Sequence, residues 1–390
     1  MGLSKTGFQQ RRIMAPKMTS SSVAGNIKKT LHQNLAKVGR FSECALLNYP
    51  NYSNIGDHLI WLGEVFYLTD TCETKIKYTA ADISDFSAEE MEKQAGKSPI
   101  LLQGGGNLGD LWRNHQEFRE YIISKYHDRP IVIMPQSIYF ASAENLDQAA
   151  SVFNAHPNLT LFVREQKSYE IALKHFKNCQ VIKSPDMAFQ LADTPYLKYY
   201  SSEKESSILY HCRYDAEKNN NFSSAPIFTL QNLVAYDWIT FHLDYWYLRE
   251  LMLNNLQLSP SAMQITPVSA QISTANFLEW ILRQVEQTFH THSAKLDSLY
   301  NPKMHRTSLG MIHCGIYQFK RHRIVITDRL HGHILCVLLD IPHIFLANSY
   351  YKNESFYESW THQVPFCRFV KNSSEILPVA HELMENYCQF

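Results

Sequence analysis

Ile324-Val-Ile-Thr-Asp-Arg-Leu-His-Gly-His333, running on into Ile334-Leu-Cys-Val-Leu-Leu339, decides how the rest of the chain is read. Its first four residues are apolar or β-branched and predict a buried parallel strand; the apolar run 334–339 predicts the helix that follows. Between them, positions 328–333 hold a carboxylate, a guanidinium and two imidazoles. In an open α/β sheet, ligands bind at such strand-to-helix turns, at the carboxyl edge of the strands. The helix start adds unpaired backbone N–H groups and partial positive charge. Arg329 beside it makes an anion site, and His331 supplies a group able to move a proton near neutral pH. Each residue also has an ordinary reading: Asp328 as a helix cap, Arg329 in a surface ion pair, His331 and His333 as first-turn residues. Their convergence on one strand end favours a site.

Outward from this stretch, short apolar runs alternate with amphipathic ones from residue 43 onward, the pattern of a βαβ architecture. Strands are expected at 44–49, 75–78, 100–103, 130–134, 159–163 and 181–182. Helices are expected between them at 56–66, 88–95, 116–125, 145–154 and 166–176. Together these predict a Rossmann-like domain over 41–195, followed by a polar linker at 196–206. A second α/β domain over 207–370 opens with a strand at 208–212 and continues with a weaker strand at 236–241. Helices at 243–256, 275–289 and 308–320 precede the opening stretch, and a strand at 343–346 follows it. A helix at 375–387 closes the terminal segment 371–390.

With 390 residues, 45% of them hydrophobic and 19% charged, the chain has the composition of a globular protein of two or three domains. The formal net charge is zero but unevenly spread. Residues 1–40 carry Lys5, Arg11, Arg12, Lys17, Lys28, Lys29, Lys37 and Arg40 and no Asp or Glu. Removing those eight from 37 basic residues leaves 29 against 37 acidic ones, a net of −8 for the remainder. The segment 1–40 is therefore expected to be a basic, flexible arm able to touch an anionic membrane surface; no nucleic-acid partner is expected. No run approaches the roughly 20 apolar residues that span a bilayer, and no signal-peptide core is found. Met1-Gly-Leu-Ser-Lys-Thr6 fits the loose myristoylation pattern. The eight cysteines are scattered without a Cys-x-x-Cys pair, as in a reduced protein. A cytoplasmic location, at most at the inner face of the membrane, is the expectation. Among the 18 histidines no set has zinc-ligand spacing, so no metal is expected.

Several other turns lie at strand ends. Gly104-Gly-Gly-Asn-Leu-Gly109 matches a dinucleotide fingerprint only through its glycines, because it follows the third strand rather than the first. Close backbone approach to the other domain or to a ligand is the better reading. In Asn54-Ile-Gly-Asp57, Asp57 is placed to cap the following helix. Pro135-Gln-Ser-Ile-Tyr139 offers an amide, a hydroxyl and a phenol at the same sheet edge. Arg213 closes the strand at 208–212, and together with Arg329 it could clamp a dianion.

In order and spacing, these features resemble the polysaccharide pyruvyl transferases, which form pyruvate ketals on sugars from phosphoenolpyruvate. The likeness runs over about 43–370. It includes Gly56-Asp57 with Trp61-Leu-Gly-Glu64, the run from Gly104 to Trp112, Pro135-Gln-Ser137 and Ser184-Pro-Asp-Met-Ala-Phe189. It continues with Arg213 and Asp215, Thr327-Asp-Arg-Leu-His-Gly332, and Asn348-Ser-Tyr350 before Lys352. Departures are Ala347 for an expected Asp, Arg164-Glu165 for Arg-Asp, and Gln103 for a frequent His. The resemblance implies a pair of Rossmann-like domains in glycosyltransferase-B-like arrangement, with the active site in the interdomain cleft and the last helix crossing back to the first domain. It implies phosphoenolpyruvate as co-substrate, with no other cofactor. Arg213, Arg329, Leu330 and His331 would hold that donor, with His331 and Arg329 catalytic. A saccharide acceptor would lie against Asp57, Gly105, Asn107 and Tyr139. A nucleotide-sugar glycosyltransferase of the same architecture is the alternative, and a saccharide-binding scaffold without activity is a third reading.

Overall fold

A computed structural model describes residues 20–198, 206–238 and 294–388. Two parallel sheets organise it. The first contains β1 (Glu43–Leu47), β2 (Lys75–Ala80), β3 (Ile100–Leu102), β4 (Gly105–Gly109), β5 (Ile131–Tyr139), β6 (Leu159–Val163) and β7 (Gln180–Lys183). Its order is β2-β1-β3-β5-β6-β7, with β4 paired to β5. The second contains β8 (Ile208–His211), β9 (Leu233–Tyr236), β10 (Ile324–Thr327), β11 (His343–Leu346) and β12 (Cys367–Val370), in the order β12-β11-β10-β8-β9. The predicted strands at 159–163, 324–327 and 343–346 have the observed bounds, and the remaining ones of the first sheet and that at 208–212 shift by a few residues; the one expected at 236–241 lies instead at Leu233–Tyr236, and residues 239–241 are outside the described residues. The expected helices at 243–256 and 275–289 lie outside the described residues.

The helices are α1 (Ser20–Leu35), α2 (Ile55–Phe66), α3 (Ala88–Ala95), α4 (Arg113–Lys125), α5 (Ala143–Ala155) and α6 (Gln166–His175). In the second half, α7 (Pro302–Lys320) precedes α8 (Leu330–Leu339), α9 (Lys352–Phe356) and α10 (Ile376–Tyr387). Both faces of the first sheet are covered, so its strands are apolar throughout rather than alternating. In β1, Ala45 and Leu47 join one core with Phe118 and Ile122 of α4, while Cys44 and Leu46 face the other with α1 and α2. That second core continues without a break into Leu330 and Ile334 of α8. Helix α2 lies at its centre, and all of its residues but Asp57 are buried. No helix among the described residues is long and apolar enough to cross a membrane.

Four expectations are corrected. Residues 20–35 are not part of a flexible arm: Leu31 and Leu35 of α1 are buried in the shared core, and Lys28 donates to the carbonyl of Ala192 at 2.8 Å. The apolar face of this helix (Val23, Ile27, Leu31 and Leu35), not its basic composition, decides its fate; residues 1–19 lie outside the described residues. The glycine run is a strand rather than a loop. It pairs with the second half of β5, which runs straight through Pro135 at an irregularity between Ile133 and Gln136, where a missing N–H is tolerated. Gly104 and Gly109 approach that neighbouring strand, and at Gly109 (φ 134°) a Cβ would sit 1.8 Å from the Tyr139 carbonyl oxygen; Gly106 approaches the second half of the chain as expected, where a Cβ would lie 3.5 Å from Lys352 Nζ. Asp57 does not cap α2; Asn54 does, accepting from the Gly56 N–H at 3.1 Å. The last helix, α10, does not cross back. Ile376, Ala380 and Leu383 pack on the second sheet with Ile208 and Ile344, so the helix has spent its apolar face there. The segment that does reach the first sheet is α9 and the turn after it: Ser355 Oγ accepts from the Lys167 N–H at 3.1 Å, and Trp360 Nε1 donates to the Arg164 carbonyl at 2.7 Å.

Candidate active site

Strand β10 ends at Thr327, whose hydroxyl accepts from the Arg329 N–H at 3.1 Å. Arg329 is the N-cap residue of α8 and makes no side-chain capping bond. Asp328 is no cap either. Its Oδ1 accepts from the Arg213 N–H at 3.1 Å, tying the ends of β8 and β10 together. Burial pushes its carboxyl up to about 7, although Arg213 and Arg329 pull the other way. From this edge a cavity of about 400 Å³ opens, lined by residues that follow strands of both sheets.

One wall is cationic and internally compensated. Arg213 forks onto Asp215 (2.7 and 3.0 Å) and reaches Glu217 at 3.0 Å. Arg329 forks onto Asp237, both contacts 2.5 Å, and touches Asp215 at 3.3 Å. Lys352 bonds Glu217 from the far side. Burial alone would raise Glu217, but Lys352 and Arg213 bring it down to about 2, whereas burial lowers Lys352 to about 8. The result is a file of alternating charge, Lys352–Glu217–Arg213–Asp215–Arg329–Asp237, bordering the cavity. Bidentate arginine forks of this kind match the geometry of phosphate and carboxylate.

His331, in the first turn of α8, also lines the cavity. Its Nε2 lies 3.5 Å from both Asp186 Oδ2 and Arg164 Nη1, and those two are themselves paired at 2.6 Å. Burial pushes Asp186 up, but His331 and Arg164 more than offset it and hold the carboxyl well below its usual range. The imidazole therefore sits at the junction of a fixed anion and a fixed cation, an arrangement that orients a proton-transfer group. Gly56 backs it: a Cβ there would lie 2.4 Å from His331 Nδ1. The Asn54-Ile-Gly-Asp57 turn thus serves the site through its glycine as well as its aspartate.

The opposite wall comes from residues 52–115. Asp57 and Asn107 face the cavity there, with Tyr52, Trp112 and His115. Of the residues expected from the sequence, Arg213, Arg329, Leu330, His331, Asp57 and Asn107 all line the one cavity. Gly105 and Tyr139 are not among its lining residues; Gly106 takes that place, and the Tyr139 ring packs on Tyr350 with centroids 4.5 Å apart. Arg164, Asp186, Glu217, Asp237 and Lys352 are absent from the site expected from the sequence, although Asp186 and Lys352 fall within the motifs that carry the resemblance. Arg164 follows the end of β6, so the strand-end rule that singled out Arg213 applies to it equally. Glu217 carries no local signal.

The second histidine of the opening stretch, His333, belongs elsewhere. It is buried with His343 and Cys367, three potential metal-ligand groups within 4.8 Å. Its nitrogens are engaged in a chain whose direction the chemistry sets. His343 Nδ1 must donate to the Ile341 carbonyl (2.8 Å), so His343 Nε2 accepts from His333 Nδ1 (2.7 Å), and His333 Nε2 accepts from the Thr361 hydroxyl (2.9 Å). Burial favours the neutral form of both rings, lowering His343 to about 4. The set fits a satisfied core pair better than a metal centre.

With the geometry in place, comparison with known proteins adds the family. The polysaccharide pyruvyl transferase family model matches residues 54–350, which takes in most strands of both sheets and most of the residues that line the cavity. The chain belongs to the polysaccharide pyruvyl transferase family. It is 30% identical to EpsO of Bacillus subtilis, a candidate pyruvyl transferase, across 90% of this chain and 95% of that one. Pyruvyl transferase 1 of Schizosaccharomyces pombe is 26% identical, over 82% of this chain and 69% of its own. Among solved structures, an uncharacterized Klebsiella pneumoniae protein shares the fold, with a TM-score of 0.50 and 21% identity, covering 89% of this chain and 98% of that one. Membership of the family supports a transferase enzyme acting with a saccharide acceptor.

Proposed function

We propose that this protein transfers the pyruvyl group of phosphoenolpyruvate to two hydroxyls of a saccharide as a ketal, releasing phosphate. The observation that carries the reading is the juxtaposition, in one cavity, of Arg213, Arg329 and the start of α8 with His331. In this reading the two sheets work as a glycosyltransferase-B-like pair, with the donor on the second and the acceptor on the first.

The chemistry requires a group that protonates the vinyl methylene, so that C2 of the donor gains oxocarbenium character. A sugar hydroxyl then bonds to C2 and gives up its proton; the C2–O bond to phosphate breaks, and a second hydroxyl closes the ring. Of the two hydroxyl protons, one is accounted for in the new methyl group and the other leaves with phosphate. No redox partner is needed. Arg213 and Arg329 answer the need to bind phosphate and carboxylate, exchanging carboxylate side chains for the donor, and the N–H of Leu330 adds to them. His331, held by Asp186 and Arg164, is the group that passes protons. Electrostatic stabilisation of this type is worth about 10²–10³ in rate per donor removed.

The test is phosphate release and a mass increase of one pyruvate ketal when the purified protein is given phosphoenolpyruvate and a panel of glucosides, galactosides and N-acetylmannosaminides. Nucleotide release from nucleotide-sugars, without phosphate release from phosphoenolpyruvate, would overturn the reading in favour of a glycosyltransferase.

A further inference from the structure

Behind His331, the motif Pro135-Gln-Ser137 meets Arg164-Glu165. Parallel pairing of β5 with β6 sets Gln136 opposite Val163, so the next residues along, Ser137 and Arg164, come side by side. The Arg164 N–H donates to the Gln136 carbonyl at 3.0 Å. Ser137, Arg164, Glu165, Ser168 and Asp186 are all buried, so their polar atoms need partners inside the protein. The Arg164 guanidinium is held from two sides. Nη1 donates to Asp186 Oδ2 at 2.6 Å and lies 3.5 Å from His331 Nε2, while Nε donates to Ser137 Oγ at 2.9 Å. Nη2 lies against Gly106, where a Cβ would sit 2.9 Å away.

The direction of these bonds follows from what each group can do. An arginine Nε–H can only donate, so the Ser137 oxygen accepts from it. An ionised Glu165 can only accept, so the Ser137 hydrogen lies toward Oε2 at 2.9 Å. Ser168 Oγ accepts from the Ile138 N–H at 2.7 Å and bonds Glu165 Oε1. Burial raises the Glu165 carboxyl, and Arg164 with the two serines pulls it the other way. Glu165 is the N-cap residue of α6, yet its side chain makes no capping bond; it is spent on the two serines instead. Neither Ser137 nor Glu165 lines the cavity. Their reach to it runs through Arg164, in the order Glu165–Ser137–Arg164–Asp186–His331.

We infer that Ser137 and Glu165 are positioning residues: together they fix the plane of the Arg164 guanidinium and, through Asp186, the place of the His331 ring. The inference rests on the proposed pyruvyl transfer for its kinetic meaning, but NMR reads the positioning without turnover. With arginine labelled in 15N, Arg164→Lys identifies the Nε–H signal of Arg164, and His331→Ala identifies the ring signals of His331 in the same way. In wild-type protein the Arg164 Nε–H is expected to exchange slowly with water. Ser137→Ala removes its acceptor, and Glu165→Gln keeps the shape while replacing one acceptor oxygen with a donor. Both variants are expected to speed that exchange and to shift the His331 ring signals, with kcat lowered about tenfold to a hundredfold and a much smaller change in KM for phosphoenolpyruvate. Ser137→Thr, which keeps the hydroxyl, is expected to restore most of the loss. Unmoved Arg164 and His331 signals in the folded variants overturn the inference, as do signals that move while kcat stays at the wild-type level. A protein that shows both spectral changes, but whose wild-type form transfers no pyruvate, keeps the positioning and overturns the proposed donor chemistry instead.

Discussion

His331 shows how much one side chain depends on its neighbours. Its Nε2 shares Asp186 and Arg164, residues separated from it by more than a hundred positions, and Gly56 leaves the space for its ring. His331→Ala is expected to lower kcat by about 10²–10⁴, the usual contribution of a general acid–base, with an unchanged melting temperature. Near-normal pyruvyl transfer by the folded variant would remove His331 from the mechanism. Gly56→Ala is a subtler probe. Alanine suits a helix better than glycine by roughly 0.5–1 kcal/mol, yet the new methyl would meet Nδ1 at 2.4 Å. The methyl would also lie 2.7 Å from His331 Cβ, so stability should fall by about 1–3 kcal/mol and kcat with it; a fully active Gly56→Ala protein would show that the imidazole position is not critical. At Lys352, lowered to about 8, the ammonium is lost as pH rises through that value, and the cationic wall weakens with it. The KM for phosphoenolpyruvate is expected to climb above pH 8 in wild-type protein and to stay flat in Lys352→Arg.

At the scale of elements, the turn between β10 and α8 does two jobs with adjacent residues. Arg329 and His331 face the cavity, while Asp328 turns away to hold the Arg213 N–H and so ties the ends of β8 and β10 together. Its raised carboxyl has a consequence for stability. Between about pH 4 and 7 the folded protein keeps a proton on Asp328 that the unfolded chain has released, so stability falls as pH rises across that window and levels off above 7. Asp328→Asn should flatten this slope in urea melts recorded from pH 4 to 7; an identical slope would mean that Asp328 titrates normally. The strand and helix themselves were legible because each carries its own hydrophobic period. The glycine strand β4 and the continuation of β5 through Pro135 were not. Nothing local distinguishes a glycine loop from a glycine strand until the partner strand is present to pair with it.

For the whole molecule, the basic character of residues 1–40 proved a weaker guide than the apolar face of α1. Leu31 of that helix is fully buried in the core that joins the two sheets. Leu31→Ala is expected to cost about 2–5 kcal/mol, read as a lowered denaturation midpoint; a loss under half a kcal/mol would mean that α1 is dispensable. The sequence by itself determined the parallel α/β class, most strand positions and the strand-end arginines, because hydrophobic period and the rule that ligands sit at strand ends are local properties. It also carried the family, through motifs spread in order along 54–350. Only the tertiary structure decided what those motifs do together. It set Asp186 beside His331, Glu217 between Arg213 and Lys352, and Arg119 behind Asn107. Each of those pairs is made where separate segments of chain meet or turn back on one another, and the energy of a contact depends on distance in space, which no local pattern of residues encodes.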